Sequence, residues 1–446
     1  MPGAQSTVAR LMSTTVQPGA ATSALRVRAT ALVSATLFVA VALSAFVFVE
    51  PAPYEGLVAI MALACLAAGL AVDRRLVPLV VVMVAWAVGG LAAMAPVSYD
   101  TDGLIYTGVT IYLQATTILF AIVFSVDTAR RLAVFRAAYM TAAVGVALVA
   151  IGAYFGVVPR ADLFLYAGRA QGTFKDPNVY GPFLILPLLL LIQTVLFRGP
   201  RPLALTGIAI LLVGLLISFS RGAWGHFAFS AAIMVALLFV TSPSSRFRAR
   251  LVGLTLVGSV AAGGFVALIL SVGPVAEMFE IRASLVQSYD DGRFGRFGTQ
   301  QQALGAILAH PNGMGPLQFG RTYGMNPHNV YLQTFLSYGW LGGFAYLALT
   351  AATLAVGLRA ALSRAPWQPM SIAAFATFAG LAAEGAIIDT DHWRHYFLVV
   401  GLIWGLAAAS ERHGALTASS RRPRVRPGLP SRDAPASVPP PRAAAR

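Results

Sequence analysis

Long apolar runs broken by short polar segments set the pattern of this chain. A helix of about 20 apolar residues crosses a hydrocarbon core. Runs of that kind fall at 28–49, 55–72, 76–95, 104–125, 134–157, 180–197, 203–219, 222–240, 251–273, 329–357, 368–388 and 396–410. The pattern predicts an all-α integral membrane protein with about twelve transmembrane helices. The runs at 180–197 and 203–219 are the ones expected to tilt or break. Two polar segments on one side stand out, 158–179 and 274–328. The second, before the tenth helix, is longer than a connection requires and is expected to be functional. Within it, 298–309 has helical spacing suited to the membrane interface. Residues 28–410 form the expected membrane body. Segments 1–27 and 411–446 are expected to be a disordered leader and a disordered basic tail, both cytoplasmic.

Composition sharpens this picture. The chain is 57% hydrophobic and only 11% charged, with a mean hydropathy of +0.73, whereas soluble domains carry about 25% charged residues. The single cysteine, Cys65, excludes an intrachain disulfide and a cysteine-based metal site. No small-residue cleavage site follows the polar first 28 residues, so a cleavable signal peptide is not expected. The net charge of +15 raises the question of nucleic acid, but its distribution answers it. With alternating spans and a cytoplasmic N-terminus, 23 of the 32 basic residues and only four acids fall inside. That asymmetry satisfies the positive-inside rule at every inner segment and puts both termini in the cytoplasm. The Pro/Ala/Arg-rich tail reads as a solvated segment beside anionic lipid, and no nucleic-acid partner is expected.

Nine basic residues remain outside: Arg160, Arg169, Lys175, Arg221, Arg282, Arg293, Arg296, Arg321 and Arg394. Lipid-linked sugar donors carry a pyrophosphate at the membrane surface, and arginine grips phosphate oxygens bidentately. Charge grows on that leaving group as its glycosidic bond breaks, so fixed cations favour the transition state. Arg169 opens a stretch in which Gly172 and Pro177 predict a bent backbone, and Asp176 or Asn178 a helix cap. The same residues also fit a plain capping loop. Arg221 separates two apolar runs with almost no loop between them, Ser220 being the expected cap. A cation at that helix start is disfavoured by the helix dipole, so it is either functional or snorkelling. His226, one turn on, is expected to be a hydrogen-bonded core histidine.

The tenth helix is expected to begin at Pro327, capped by Asn326, with His328 in its first turn. A helix N-terminus keeps an imidazole neutral, so His328 is a candidate general base for an acceptor hydroxyl. His310–Pro316 reads as a Gly/Pro turn. Asp389, Asp391, His392, Arg394 and His395 cluster in the last outer segment, where Asp391 can orient another side chain; their spacing matches no metal motif, and none is expected.

Three motifs occur in order: Arg169 to Asn178 with its Gly172-Thr173-Phe174 and Pro177-Asn178, Ser220-Arg221-Gly222, and Pro327-His328-Asn329 with Tyr331-Leu332 after a large outer loop. With Tyr338–Gly343 behind them, they make the chain resemble the O-antigen ligase/O-antigen polymerase superfamily. The resemblance covers 160–345 by motif and 28–410 by topology. It implies an inverting, metal-independent glycosyltransferase without cofactors in the bacterial inner membrane, with its active site facing the periplasm. The donor would be an undecaprenyl-pyrophosphate-linked glycan. The acceptor would be lipid A–core for a lipopolysaccharide ligase, or a growing glycan for an O-antigen or exopolysaccharide polymerase. By resemblance His328 is the base, and Arg169 and Arg221 hold the pyrophosphate. By the same resemblance Arg293 or Arg296 is matched to a further loop arginine, Lys175 joins that cationic set, and Asn178, Asn326 and Asn329 support it. The competing reading is a transporter or flippase of lipid-linked saccharides. Such a protein wants charges near the bilayer middle and paired broken helices, whereas, apart from Arg28, Glu55 and Arg136 at span ends, only Glu384 lies within a predicted span, and no internal repeat is evident.

Overall fold

A computed structural model describes residues 20–48, 52–283 and 295–421. Its helices are α1 (Ala20–Leu43), α2 (Pro53–Ala67), α3 (Val77–Met94), α4 (Thr101–Ser125) and α5 (Thr128–Tyr154). A two-residue hairpin follows, β1 (Leu165–Tyr166) against β2 (Arg169–Ala170). Then come α6 (Pro177–Phe183), α7 (Ile185–Arg198), α8 (Pro202–Ile217), α9 (Arg221–Thr241), α10 (Ser245–Ile269) and α11 (Gly273–Ala283). The chain ends with α12 (Arg296–Ala309), α13 (Gln318–Tyr323), α14 (Val330–Leu362), α15 (Gln368–Glu384) and α16 (Arg394–Arg421).

A helix lies at each of the twelve predicted spans, α6 and α7 sharing one of them. Among the described residues, seven segments are long and apolar enough to cross a membrane, and three shorter apolar helices lie at 27–43, 53–67 and 202–217. The protein is an all-α membrane protein. The first helix starts earlier than its apolar run, at Ala20, and the last continues past 410 to Arg421. A helix runs on in water once its apolar turns are anchored, so hydropathy marks the membrane limits rather than the helix limits.

The run at 180–197 is broken, as its prolines require. Pro187 has no N–H for the carbonyl of Phe183, and the chain turns at Leu184 between α6 and α7. The Tyr139 hydroxyl supplies the missing donor to Phe183 O at 3.2 Å. Neighbouring side chains must do this wherever water is absent.

The centre of the bundle is α15. From Met370 to Leu381 every residue is buried, whichever way it faces, the mark of a helix enclosed on all sides. Ala373, Ala374, Ala376, Ala379 and Gly380 keep it slim enough for α7, α9, α14 and α16 to pack around it. At the other extreme, none of the apolar window of α10 is buried, so its valines and leucines are left to lipid.

Polar contacts group the helix ends as the charge pattern predicts. At one end, Asp73 pairs with Arg75 and with Arg412, and Arg75 reaches Glu411. All belong to predicted inner segments. At the other, Arg394 pairs with Glu55 and lies over the Tyr54 ring, while Arg321 holds Asp100 and Asp102. Two of the nine outer cations, Arg321 and Arg394, therefore serve to join outer segments.

The 274–328 segment contains three short helices. The expected helix at 298–309 is α12, and His310–Pro316 forms the expected turn. That turn plugs into a kink in α14: Trp340 N donates to Pro311 O at 2.8 Å and Met314 N to Leu336 O at 2.8 Å. The kink needs Gly339, whose φ is 67° and ψ −175°, a conformation open almost only to glycine. A Cβ there would stand 2.7 Å from the Asn312 carbonyl carbon. Gly339→Ala is expected to cost about 1–3 kcal/mol, seen as a lower unfolding temperature in detergent. An unchanged midpoint would mean the kink is not under this constraint.

Candidate functional site

Two groups of predicted residues assemble at one end of the bundle, the end that the charge pattern predicts to face outward. The first forms where α8 reverses into α9. Ser218 ends one helix, Phe219 takes a left-handed φ of 46°, and Ser220 caps the next by accepting from Ala223 N at 3.3 Å. A two-residue reversal needs this strained step, and such strain gathers at functional junctions. Arg221 is thereby fixed, half-buried, at the first position of α9.

Arg169 reaches this reversal from the hairpin. It is buried, its Nε donating to Ser218 O at 2.9 Å and its NH2 to Asn178 Oδ1 at 2.8 Å. Asp176, not Asn178, caps α6, accepting from Asn178 N at 2.8 Å. That leaves the Asn178 side chain free to hold the arginine. The bend before it uses Gly172 at φ 58° and is moored to the end of α1, Thr173 Oγ1 donating to Ala45 O. Lys175 is exposed on the same bend.

The second group surrounds His328, and here the structure corrects the predicted helix start. The tenth span begins at Val330, not at Pro327, and its cap is Asn329, not Asn326. Asn329 Oδ1 accepts from Tyr331 N at 3.1 Å and Leu332 N at 3.2 Å. The start shifts because Val330 N has a partner elsewhere, Gly385 O at 2.8 Å, so the first turn needs no earlier residue. Asn326 faces Gly320 instead, and its Oδ1 finds no hydrogen-bond partner among the described residues. His328 stands just before the helix with a left-handed φ of 46°. Its neighbour is a carboxylate rather than a helix terminus: Nδ1 lies 3.6 Å from Asp389 Oδ2, just beyond hydrogen-bond range. The imidazole is partly open, at 41% exposure, while Asp389 is at 23%. Burial raises the Asp389 carboxyl above its ordinary range, outweighing the opposing pull of His328. The long segment comes down on the same spot, Gln300 Nε2 donating to Pro327 O at 3.2 Å. Arg296 opens the helix that carries Gln300, and Arg293 lies outside the described residues.

The Asp389–His395 stretch does not converge on a common point. Asp391, expected to orient another side chain, collects two tyrosines: Tyr106 and Tyr338 hydroxyls each donate to its Oδ2 at 3.0 Å. His392 Nδ1 sits 3.4 Å away and its Nε2 meets Thr110 Oγ1 at 3.0 Å. This hub fastens the 385–393 connection to α4 and α14, and so positions Asp389. His226 is hydrogen-bonded within the core as expected, to Glu384 and to Thr377 O. Sequence reasoning missed Asp389 as the partner of His328. It also missed what Glu384 does, although a lone acid inside a span was a signal.

The fold defines a polytopic helical membrane protein with arginine and histidine–carboxylate groups gathered at one membrane face. Residues 206–347 match the family model described as O-antigen ligase. The matched stretch contains Arg221 and His328, while Arg169, Asn178 and Asp389 lie outside it. No curated protein matches the chain.

Burial raises the pKa of the Asp391 carboxyl, but His392 and the hydrogen bonds from Tyr338 and Tyr106 outweigh it, so the net shift is downward. A lowered folded pKa contributes stability above the unfolded value of about 3.9. That contribution disappears as pH falls through the folded pKa. Asp391→Asn is therefore expected to unfold at lower temperature than wild type near neutrality, with the gap closing in acid. A gap that is independent of pH would show the hub does not depend on the charge.

Proposed function

We propose that this protein transfers a glycan from undecaprenyl pyrophosphate to an acceptor sugar hydroxyl at the periplasmic face of the bacterial inner membrane. The observation that carries the reading is the presence at one face of a built arginine site and a histidine–carboxylate pair. Arg169 is immobilised by Ser218 and Asn178, and His328 stands open beside Asp389.

In this reading Asp389 takes the Nδ1 side of His328, so Nδ1 carries the hydrogen and Nε2 is the free acceptor. Nε2 removes the proton from the acceptor hydroxyl as its oxygen attacks the anomeric carbon. The new glycosidic bond forms on the face opposite the departing group, inverting the centre. The anomeric C–O bond breaks and its electron pair leaves with the lipid pyrophosphate. Arg169 and Arg221 offset the charge that grows there. Lys175, Arg293 and Arg296 are further candidates to steer the donor. The acceptor, lipid A–core or a growing glycan, decides between ligase and polymerase.

The test is transfer by purified protein from undecaprenyl-pyrophosphate oligosaccharide to each acceptor, in the presence of EDTA. Wild type is expected to transfer. His328→Ala and Arg221→Ala are each expected to lose about 100-fold or more in turnover, and Asp389→Asn about 10-fold or more through the wrong imidazole tautomer. Transfer undiminished in His328→Ala would remove the base from this mechanism. Donor movement across liposomes without transfer would replace the reading with a transporter.

A further inference from the structure

A second acid–histidine couple lies deeper, where α9 crosses α15. His226 Nδ1 is 2.8 Å from Glu384 Oε2, and the two side chains are 0% and 2% exposed. His226 Nε2 is 2.9 Å from Thr377 O. A carbonyl only accepts, so Nε2 must carry a hydrogen. A single proton then lies between Nδ1 and Oε2, whichever atom holds it. The couple is neutral as a unit, the condition under which such groups tolerate burial.

The surroundings are shaped for this couple. At Gly380 a Cβ would stand 2.0 Å from the His226 ring, so the glycine opens the slot that the imidazole fills. At Gly222 a Cβ would stand 2.8 Å from Glu384 Oε1, so the carboxyl lies against the backbone of the residue after Arg221. Ser230 Oγ donates to Ala376 O at 2.8 Å, one turn further along, and fixes the same register. Stability alone does not account for the arrangement. Well-packed apolar residues in place of a buried ion pair are often neutral or stabilising, and registry is the best-attested use of such pairs.

What the register controls lies at the two ends. Going outward along α9, the turn above His226 is Arg221. Going outward along α15, the residue after Glu384 is Gly385, whose carbonyl takes the first N–H of α14 at Val330. Asn329 and His328 precede Val330, and the chain beyond Gly385 reaches Asp389, the neighbour of His328. The couple is thus a buried polar connection between the helices that lead to the two halves of the site.

We propose that His226 and Glu384 form a positioning pair that sets the spacing between Arg221 and the His328–Asp389 dyad. Neither residue touches the reacting atoms in this account. The proposal rests on the function proposed above for Arg221 and His328.

The shared proton dictates the variants. Gln at 384 offers an N–H to Nδ1 and preserves the connection, whereas Ala removes it. The double variant His226→Leu/Glu384→Leu replaces the couple by apolar packing. In the transfer assay, Glu384→Ala and the double variant are expected to lose about 10- to 100-fold in kcat, as misplacement by about 1 Å can do, with donor KM little changed. Glu384→Gln restores most of kcat. The double variant is expected to keep the wild-type unfolding temperature, so its loss is not a folding defect. A double variant with wild-type kcat overturns the proposal. An activity-independent readout separates this from failure of the proposed function. Spin labels at Gly225→Cys and Thr322→Cys in a Cys65→Ala background report the distance between the two halves. A shifted or broadened distribution in the double variant supports the positioning pair even if no acceptor is found. An unchanged distribution overturns it.

Discussion

The end of the bundle that carries the candidate site depends on one packing constraint, the enclosure of the helix Gln368–Glu384, buried at every residue from Met370 to Leu381. A helix buried all round can neither tilt nor slide without opening voids on several sides at once. Its alanines and Gly380 let four neighbours approach closely, and its C-terminal end becomes a fixed point. From that point hang the Gly385 carbonyl that starts the preceding helix at Val330, and the short connection that carries Asp389. The candidate base is thus held by the core rather than by a flexible loop, although it lies in a loop itself.

Low dielectric explains why so many polar groups at this face occur in interlocking sets. Arg394 with Glu55, Arg321 with Asp100 and Asp102, and Asp391 with two tyrosines and a histidine each satisfy groups that lipid or protein would leave unpaired. These sets also sort the outer cations by role. Arg321 and Arg394 are spent on joining segments. Arg169 is a buried guanidinium oriented by a backbone carbonyl and an amide oxygen.

Much of the fold was legible in the sequence because lipid imposes simple demands. Apolar length marked the position of each long helix, and arginine asymmetry sorted their ends. The break at Leu184 followed from proline chemistry, and the helix at 298–309 from its spacing. The site was legible only in part. Arg221 stood out as a candidate because a charge at a short membrane junction has few reasons to exist. The start of the helix after His328 was misread because a proline and an asparagine made a plausible cap at 326–327. The actual start depends on the bond from Val330 to Gly385, 55 residues along the chain, and no local pattern carries such a partner. The pairing of Asp389 rather than Asp391 with His328 escaped for the same reason. Two nearby acids look alike in sequence, and only the tyrosines of two other helices decide which is occupied.

Two left-handed non-glycine residues, Phe219 and His328, flank the two halves of the site. Each such conformation costs of order 1–3 kcal/mol and persists only where its surroundings over-determine it. Phe219 is held between a helix end and the Ser220 cap, His328 between Pro327 and the Asn329 cap. At Phe219 the strain lets a helix begin immediately after a reversal, which brings Arg221 to the helix end with no intervening loop. At His328 it ends a longer connection at the cap of the next helix. Rigid ends on a rigid central helix suit the proposed transfer, whose difficulty is electrostatic and positional: in that reading a pyrophosphate is held while a single hydroxyl is aimed at one carbon.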